Sequence, residues 1–141
     1  YKNCKMADEE QMKQLFMQFQ TLQQNIEQLT EHVQKLHQQN AEIEESVTAL
    51  KEFSETPKDT DVFAPIANGI FIKGKVVDNQ KLLVNVGADT IVEKSVDDVT
   101  GMLAKHQHSM AENILQAESL LQNFEEQAMK IYQEVEKEHA A

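Results

Sequence analysis

From Leu15 to Leu50 the apolar residues step alternately by four and by three, and no other feature limits the fold of this chain as tightly. Phe19, Ile26, Val33, Asn40 and Val47 fall at position a of a heptad, and Leu15, Leu22, Leu29, Leu36, Ile43 and Leu50 at position d. Gln, Glu and Lys fill the intervening positions, and neither Gly nor Pro occurs between Ala7 and Thr56. The pattern predicts a single helix of roughly 70 Å at 1.5 Å per residue, with one apolar seam seeking a partner.

That partner is encoded in the last third. Leu103, Gln107, Met110, Ile114, Ala117, Leu121, Phe124, Ala128, Ile131 and Val135 repeat the four-and-three step, predicting a second helix from about Val96 to about His139. Ser95, with Asp98 three residues on and Asp97 beside it, has the chemistry of a helix start: a side-chain acceptor for a free N–H and carboxylates at the positive end of the dipole. Two helices of similar length joined through a short middle segment would fold back as an antiparallel coiled coil with both termini at its far tip. Asn40 interrupts the seam once, as a register pin or as a neutral polar site.

Between the helices the period changes. Ser54 to Asp61 is a polar, proline-containing linker, and Val62–Ile66, Ile70–Val77, Leu82–Val86 and Thr90–Lys94 are short β-branched runs. Turn residues separate them at Asn68-Gly69, Asp78-Asn79-Gln80 and Gly87-Ala88-Asp89, so they read as two hairpins. The fold class is therefore α+β, a long antiparallel coiled-coil hairpin with two central β-hairpins. Residues 6–56 form the first helix, 57–94 the linker and hairpins, and 95–141 the second helix. Residues 1–5 precede Met6-Ala7-Asp8, which reads like a start, and are set aside as a non-native leader with the single cysteine, Cys4.

About 33 residues cannot build a self-sufficient core without metal, disulfide or association. Yet Phe63, Ile66, Ile70, Phe71, Ile72, Val76, Leu82, Val84, Val86 and Ile91 offer more apolar surface than two hairpins can hide against themselves. At about 25 cal/mol per Å², burying several of them against other chains contributes several kcal/mol, and the free strand edges also need covering. Oligomerisation through these strands is the expectation. Near the helix ends, Met12, Leu15, Phe16, Met17 and Phe19, with Met129, Ile131, Tyr132 and Val135, include apolar residues outside the seam. These are either spare packing or an adhesive surface, and methionine suits adaptable contacts.

Composition excludes other classes. A net charge of −11 with no arginine disfavours nucleic acid and anionic membranes, because phosphate recognition needs clustered cations. No apolar run approaches the ~20 residues of a membrane span, and a lone cysteine suits a reducing cytoplasm. Gly69-Ile-Phe-Ile-Lys-Gly-Lys75 has the outline of a phosphate loop, but Val76-Val77 follows where Ser or Thr and a helix are required, and Ile70, Phe71 and Ile72 occupy the loop. It reads as a strand. His106 and His108 lie about 200° apart on a helix and His32 and His37 are five apart, so neither pair shares an ion, and both read as solvated surface. Asp59, Asp61, Asp97 and Asp98 lack a pocket that would separate their pKa values. No catalytic residue, metal site or cofactor is expected.

The stretches Phe63-Ala-Pro-Ile66, Gly69-Ile-Phe-Ile-Lys-Gly-Lys-Val-Val-Asp78 and Leu83-Val-Asn-Val-Gly-Ala88 running into Ile91-Val-Glu-Lys94 resemble the hairpin signatures of alpha-class prefoldin subunits in order and spacing. The beta class carries one hairpin, so the second favours alpha. The resemblance implies a hexamer of two alpha and four beta subunits, with hairpins assembled into oligomeric β-barrels and coiled coils projecting from them. It further implies ATP-independent capture of non-native polypeptides at the tips and delivery to a group II chaperonin. A structural coiled-coil adaptor binding one defined partner is the alternative.

Overall fold

The computed structural model describes residues 2–140, and the side chains of residues 8–138. The side chains of the leader 1–5, Cys4 among them, lie outside the described residues. Helix α1 runs Lys2–Glu55, followed by β1 Asp61–Ala67, β2 Ile70–Lys75, β3 Lys81–Asn85, β4 Ile91–Ser95 and helix α2 Val96–Ala140. The contacts divide the chain into two units, one of residues 1–39 with 110–141 and one of residues 40–109.

In the first unit α1 and α2 run antiparallel. Residues Phe19 and Ile26 meet Ala128 to Tyr132, Leu29 and His32 meet Leu120 and Phe124, and His37 meets Glu118, so one series rises as the other falls. Val33, Leu36, Met110, Ile114 and Ala128 are buried here. Met12, Leu15, Phe19, Leu22, Ile26 and Leu29 of α1, and Ala117, Leu121, Phe124, Ile131 and Val135 of α2, are half-buried. Every heptad position of the sequence pattern in this unit is withdrawn from solvent, as knobs-into-holes packing requires. Burial of Val33 and Leu36 contributes roughly 1.5–3 kcal/mol each.

The second unit holds the hairpins. Strands β1 and β2 pair antiparallel with Phe63 opposite Lys73, Ala64 opposite Ile72 and Pro65 opposite Phe71, then shift register between Pro65 and Ala67. Gly69 takes φ +75° in the connecting turn, a left-handed conformation that side chains disfavour. Strands β3 and β4 pair in continuous register, with Val84 opposite Val92. Their turn carries positive φ at Gly87, Ala88 and Asp89, held by Val86 N–H donating to Thr90 O at 2.9 Å and Gly87 N–H to Asn85 Oδ1 at 3.0 Å.

Strand β2 ends two residues earlier than the sequence suggests, because the backbone after Lys75 turns to other partners. Val76 N–H donates to Thr60 O at 3.0 Å and Val76 O accepts from Asp59 N–H at 2.8 Å, which pins the linker, and the Val76 side chain is buried. Val77 then stands 84% exposed. Asn79 Nδ2 donates to Thr56 O at 2.9 Å, and Val96 N–H donates to Gln80 O at 2.8 Å. Ser95 Oγ accepts from Asp98 N–H at 3.0 Å, so the expected cap closes the start of α2. Asn40 Oδ1 is buried with no protein hydrogen-bond partner among the described residues, so no pairing within the chain supports a register pin.

Candidate functional site

Two kinds of surface stand out, one on the strands and one on the helices. Of the ten residues expected to bind other chains, Phe63, Ile66, Ile70, Phe71, Ile72, Val86 and Ile91 are exposed. Leu82 and Val84 are half-buried, and Val76 is buried within its own chain. The register explains why: Val62, Ala64, Ile70 and Ile72 share one face of the first hairpin, while Phe63, Pro65 and Phe71 share the other. A two-stranded ribbon with apolar groups on both faces cannot cover either with itself. Leu83, 78% exposed, adds to this apolar surface.

The strand reading of Gly69–Lys75 is observed directly. Ile70–Lys75 is β2, extended and paired to β1, with no helix following it. Among the described residues no group of three His, Cys, Asp or Glu could hold a metal ion, and no helix is long and apolar enough to cross a membrane.

The helices of the first unit carry open grooves on two flanks. One, of about 480 Å³, is lined by Phe19 and Ile26 from α1 and Glu125, Ala128, Met129 and Tyr132 from α2. On the opposite flank a groove of about 470 Å³ is lined by Met17, Gln18, Thr21, Leu22, Gln127 and Ile131. Both volumes fall in the range of small binding clefts. Among the expected tip residues, Phe16, Met17, Met129 and Tyr132 are exposed, whereas Met12, Leu15, Phe19, Ile131 and Val135 are half-buried. The structure brings Phe19, Met129 and Tyr132 into one groove and Met17 and Ile131 into the other. Met12, Leu15, Phe16 and Val135 line neither.

Sequence reasoning missed Ile26, Ala128 and Glu125 as groove residues, because the lining depends on which α2 residues lie opposite α1. His37 is solvated, as the sequence suggests, with its side chain 56% exposed, and its Nε2 lies 2.9 Å from Glu118 Oε1 across the helix pair. Beside the first groove, the Glu136 carboxylate accepts from Tyr132 and its charge opposes phenolate formation, so both effects raise the Tyr132 pKa above its ordinary value.

Paired antiparallel helices and two hairpins with exposed apolar side chains define the class of fold. A family model described as "Prefoldin subunit" matches residues 22–140, so the chain belongs to the prefoldin subunit family. It is 33% identical over 97 residues to the prefoldin subunit alpha of Methanoculleus marisnigri, covering 69% of this chain and 64% of that one. It is 28% identical over 118 residues to the prefoldin subunit alpha of Pyrococcus horikoshii, covering 82% and 78%. Against the Methanococcus aeolicus protein of the same name the match is 28% over 90 residues, 64% of this chain and 60% of the relative, so the chain spans about three fifths of the length of some relatives. The fold is similar to a chain in the cryo-EM structure of filamentous PFD from Methanocaldococcus jannaschii, with a TM-score of 0.66, 18% identity and coverage of 88% of this chain and 97% of that chain.

Proposed function

We propose that this chain is the alpha-class subunit of a prefoldin chaperone, assembling as two alpha and four beta subunits through its hairpins in the cytoplasm. The hairpins join those of neighbouring subunits into β-barrels, which cover Phe63, Ile66, Ile70, Phe71, Ile72 and Ile91. The helix pair then captures non-native polypeptides without nucleotide and passes them to a group II chaperonin. Phe16, Met17, Met129 and Tyr132 supply the apolar contact.

The observation that carries this reading is the exposure of apolar side chains on both faces of the first hairpin. Phe63 is 66% exposed and Phe71 on the same face 59%, while Ile70 and Ile72 on the other face are 55% and 50% exposed. Soluble chains rarely leave such ribbons uncovered. Capture is tested by mixing the chain with a beta-class partner and several unrelated chemically unfolded proteins, without nucleotide, and following light scattering. Suppressed aggregation of several of them is expected. Suppression of none contradicts capture, and suppression of one alone points to an adaptor with a single defined partner.

A further inference from the structure

The two helix grooves differ in chemistry. The polar members of the groove around Met17 and Ile131 are Gln18, Thr21 and Gln127, all neutral. The groove around Phe19 and Met129 has a carboxylate, Glu125, in its wall. The neighbouring heptad explains why that carboxylate is unanswered. Glu118, one heptad before Glu125 on α2, is met by His37 of α1. One heptad before His37 is Thr30, and its hydroxyl donates to Ile26 O at 2.7 Å, within its own helix. Among the described residues Glu125 has no ion pair. The surroundings strengthen the field: residues 8–30 and 121–138 hold nine carboxylates and three lysines.

We infer that the groove lined by Phe19, Ile26, Glu125, Ala128, Met129 and Tyr132 takes segments of non-native polypeptide in which a bulky apolar side chain is flanked by lysine or arginine. This rests on the capture function proposed above. The apolar side chain covers Phe19, Ile26, Ala128 and Met129, and the cation lies against the Glu125 carboxylate that Thr30 leaves without a partner. The opposite groove, having only neutral polar groups, takes apolar segments without that preference.

The test uses the full chain assembled with a beta-class partner and three short synthetic peptides with a common Phe-Leu centre, flanked by Lys, Gln or Glu. Binding is read by fluorescence anisotropy. The Lys peptide should bind about two- to fivefold more tightly than the Gln peptide, as an exposed ion pair allows, and the Glu peptide more weakly than both. Glu125→Gln should remove most of the Lys preference while leaving binding of the Gln peptide unchanged. Glu126→Gln, which removes a neighbouring charge outside the groove, should preserve the preference. An unchanged Lys-to-Gln ratio in Glu125→Gln, or equal losses in both variants, overturns the inference and leaves capture standing. Binding of no peptide by the wild type contradicts capture itself.

Discussion

The helix seam and the first hairpin use similar residues to opposite ends. Along α1 and α2 Val, Leu, Ile and Met repeat every three and four residues, and in the first unit each seam position is buried or half-buried. Along β1 and β2 Val, Ile and Phe alternate across a ribbon with nothing on either side. The second hairpin lies between these cases, since Leu82, Val84 and Lys94 are half-buried on one face while Leu83 and Ile91 on the other are exposed. The contrast teaches that the helix seam finds cover within the first unit, whereas the first hairpin leaves apolar side chains exposed on both faces in the single chain.

That contrast can be broken most forcefully at Ile72. Placing a charge on the paired face of the first hairpin, Ile72→Lys, should abolish assembly, because an unpaired buried ammonium costs several kcal/mol. Sedimentation should show the loss, while circular dichroism should show the helices retained; loss of both would mean that the strands and helices are not separable. The seam responds differently. Leu36→Ala should destabilise by about 2–4 kcal/mol in thermal or denaturant unfolding, through lost transfer energy and a cavity. Asn40→Leu should stabilise by about 1–2 kcal/mol, because it removes a buried carbonyl oxygen without a partner, and a loss of stability or a change of oligomeric state would restore the register role.

Smaller effects sharpen the picture. Ser95→Ala should cost about 1 kcal/mol by removing the acceptor for Asp98 N–H at the start of α2. At the groove, Glu136→Gln should lower the pKa of Tyr132 toward its ordinary value, because the charge opposing phenolate formation is gone and the hydrogen bond to the phenol is weaker. Phenolate absorbance during an alkaline titration reads this directly, and an unchanged midpoint would dismiss the contact.

Much of the fold was legible because the period of the sequence changes where the structure changes. The four-and-three step marks both helices, since a seam that must stay apolar leaves a repeat that can be counted. The hairpins announced themselves through Asn68-Gly69 and Gly87-Ala88-Asp89. The strand ends were less legible: Val76 and Val77 have strand-forming side chains, but the Val76 backbone bonds to the linker at Asp59 and Thr60, a contact made sixteen and more residues away. The grooves were only half legible. Exposed Met17, Met129 and Tyr132 lie off the heptad seam and could be singled out, but Glu125 acquires meaning only when the pairing of the helices sets it in a groove with Phe19 and Ile26.

The decisive measurement is the native mass of the chain, alone and mixed with a beta-class prefoldin subunit, across a wide dilution range. A hexamer of two alpha and four beta chains should form from the mixture, and Ile72→Lys should fail to enter it. A folded monomer persisting at every concentration, with the beta-class subunit present and hairpins left in solvent, would contradict the assignment of these strands to assembly.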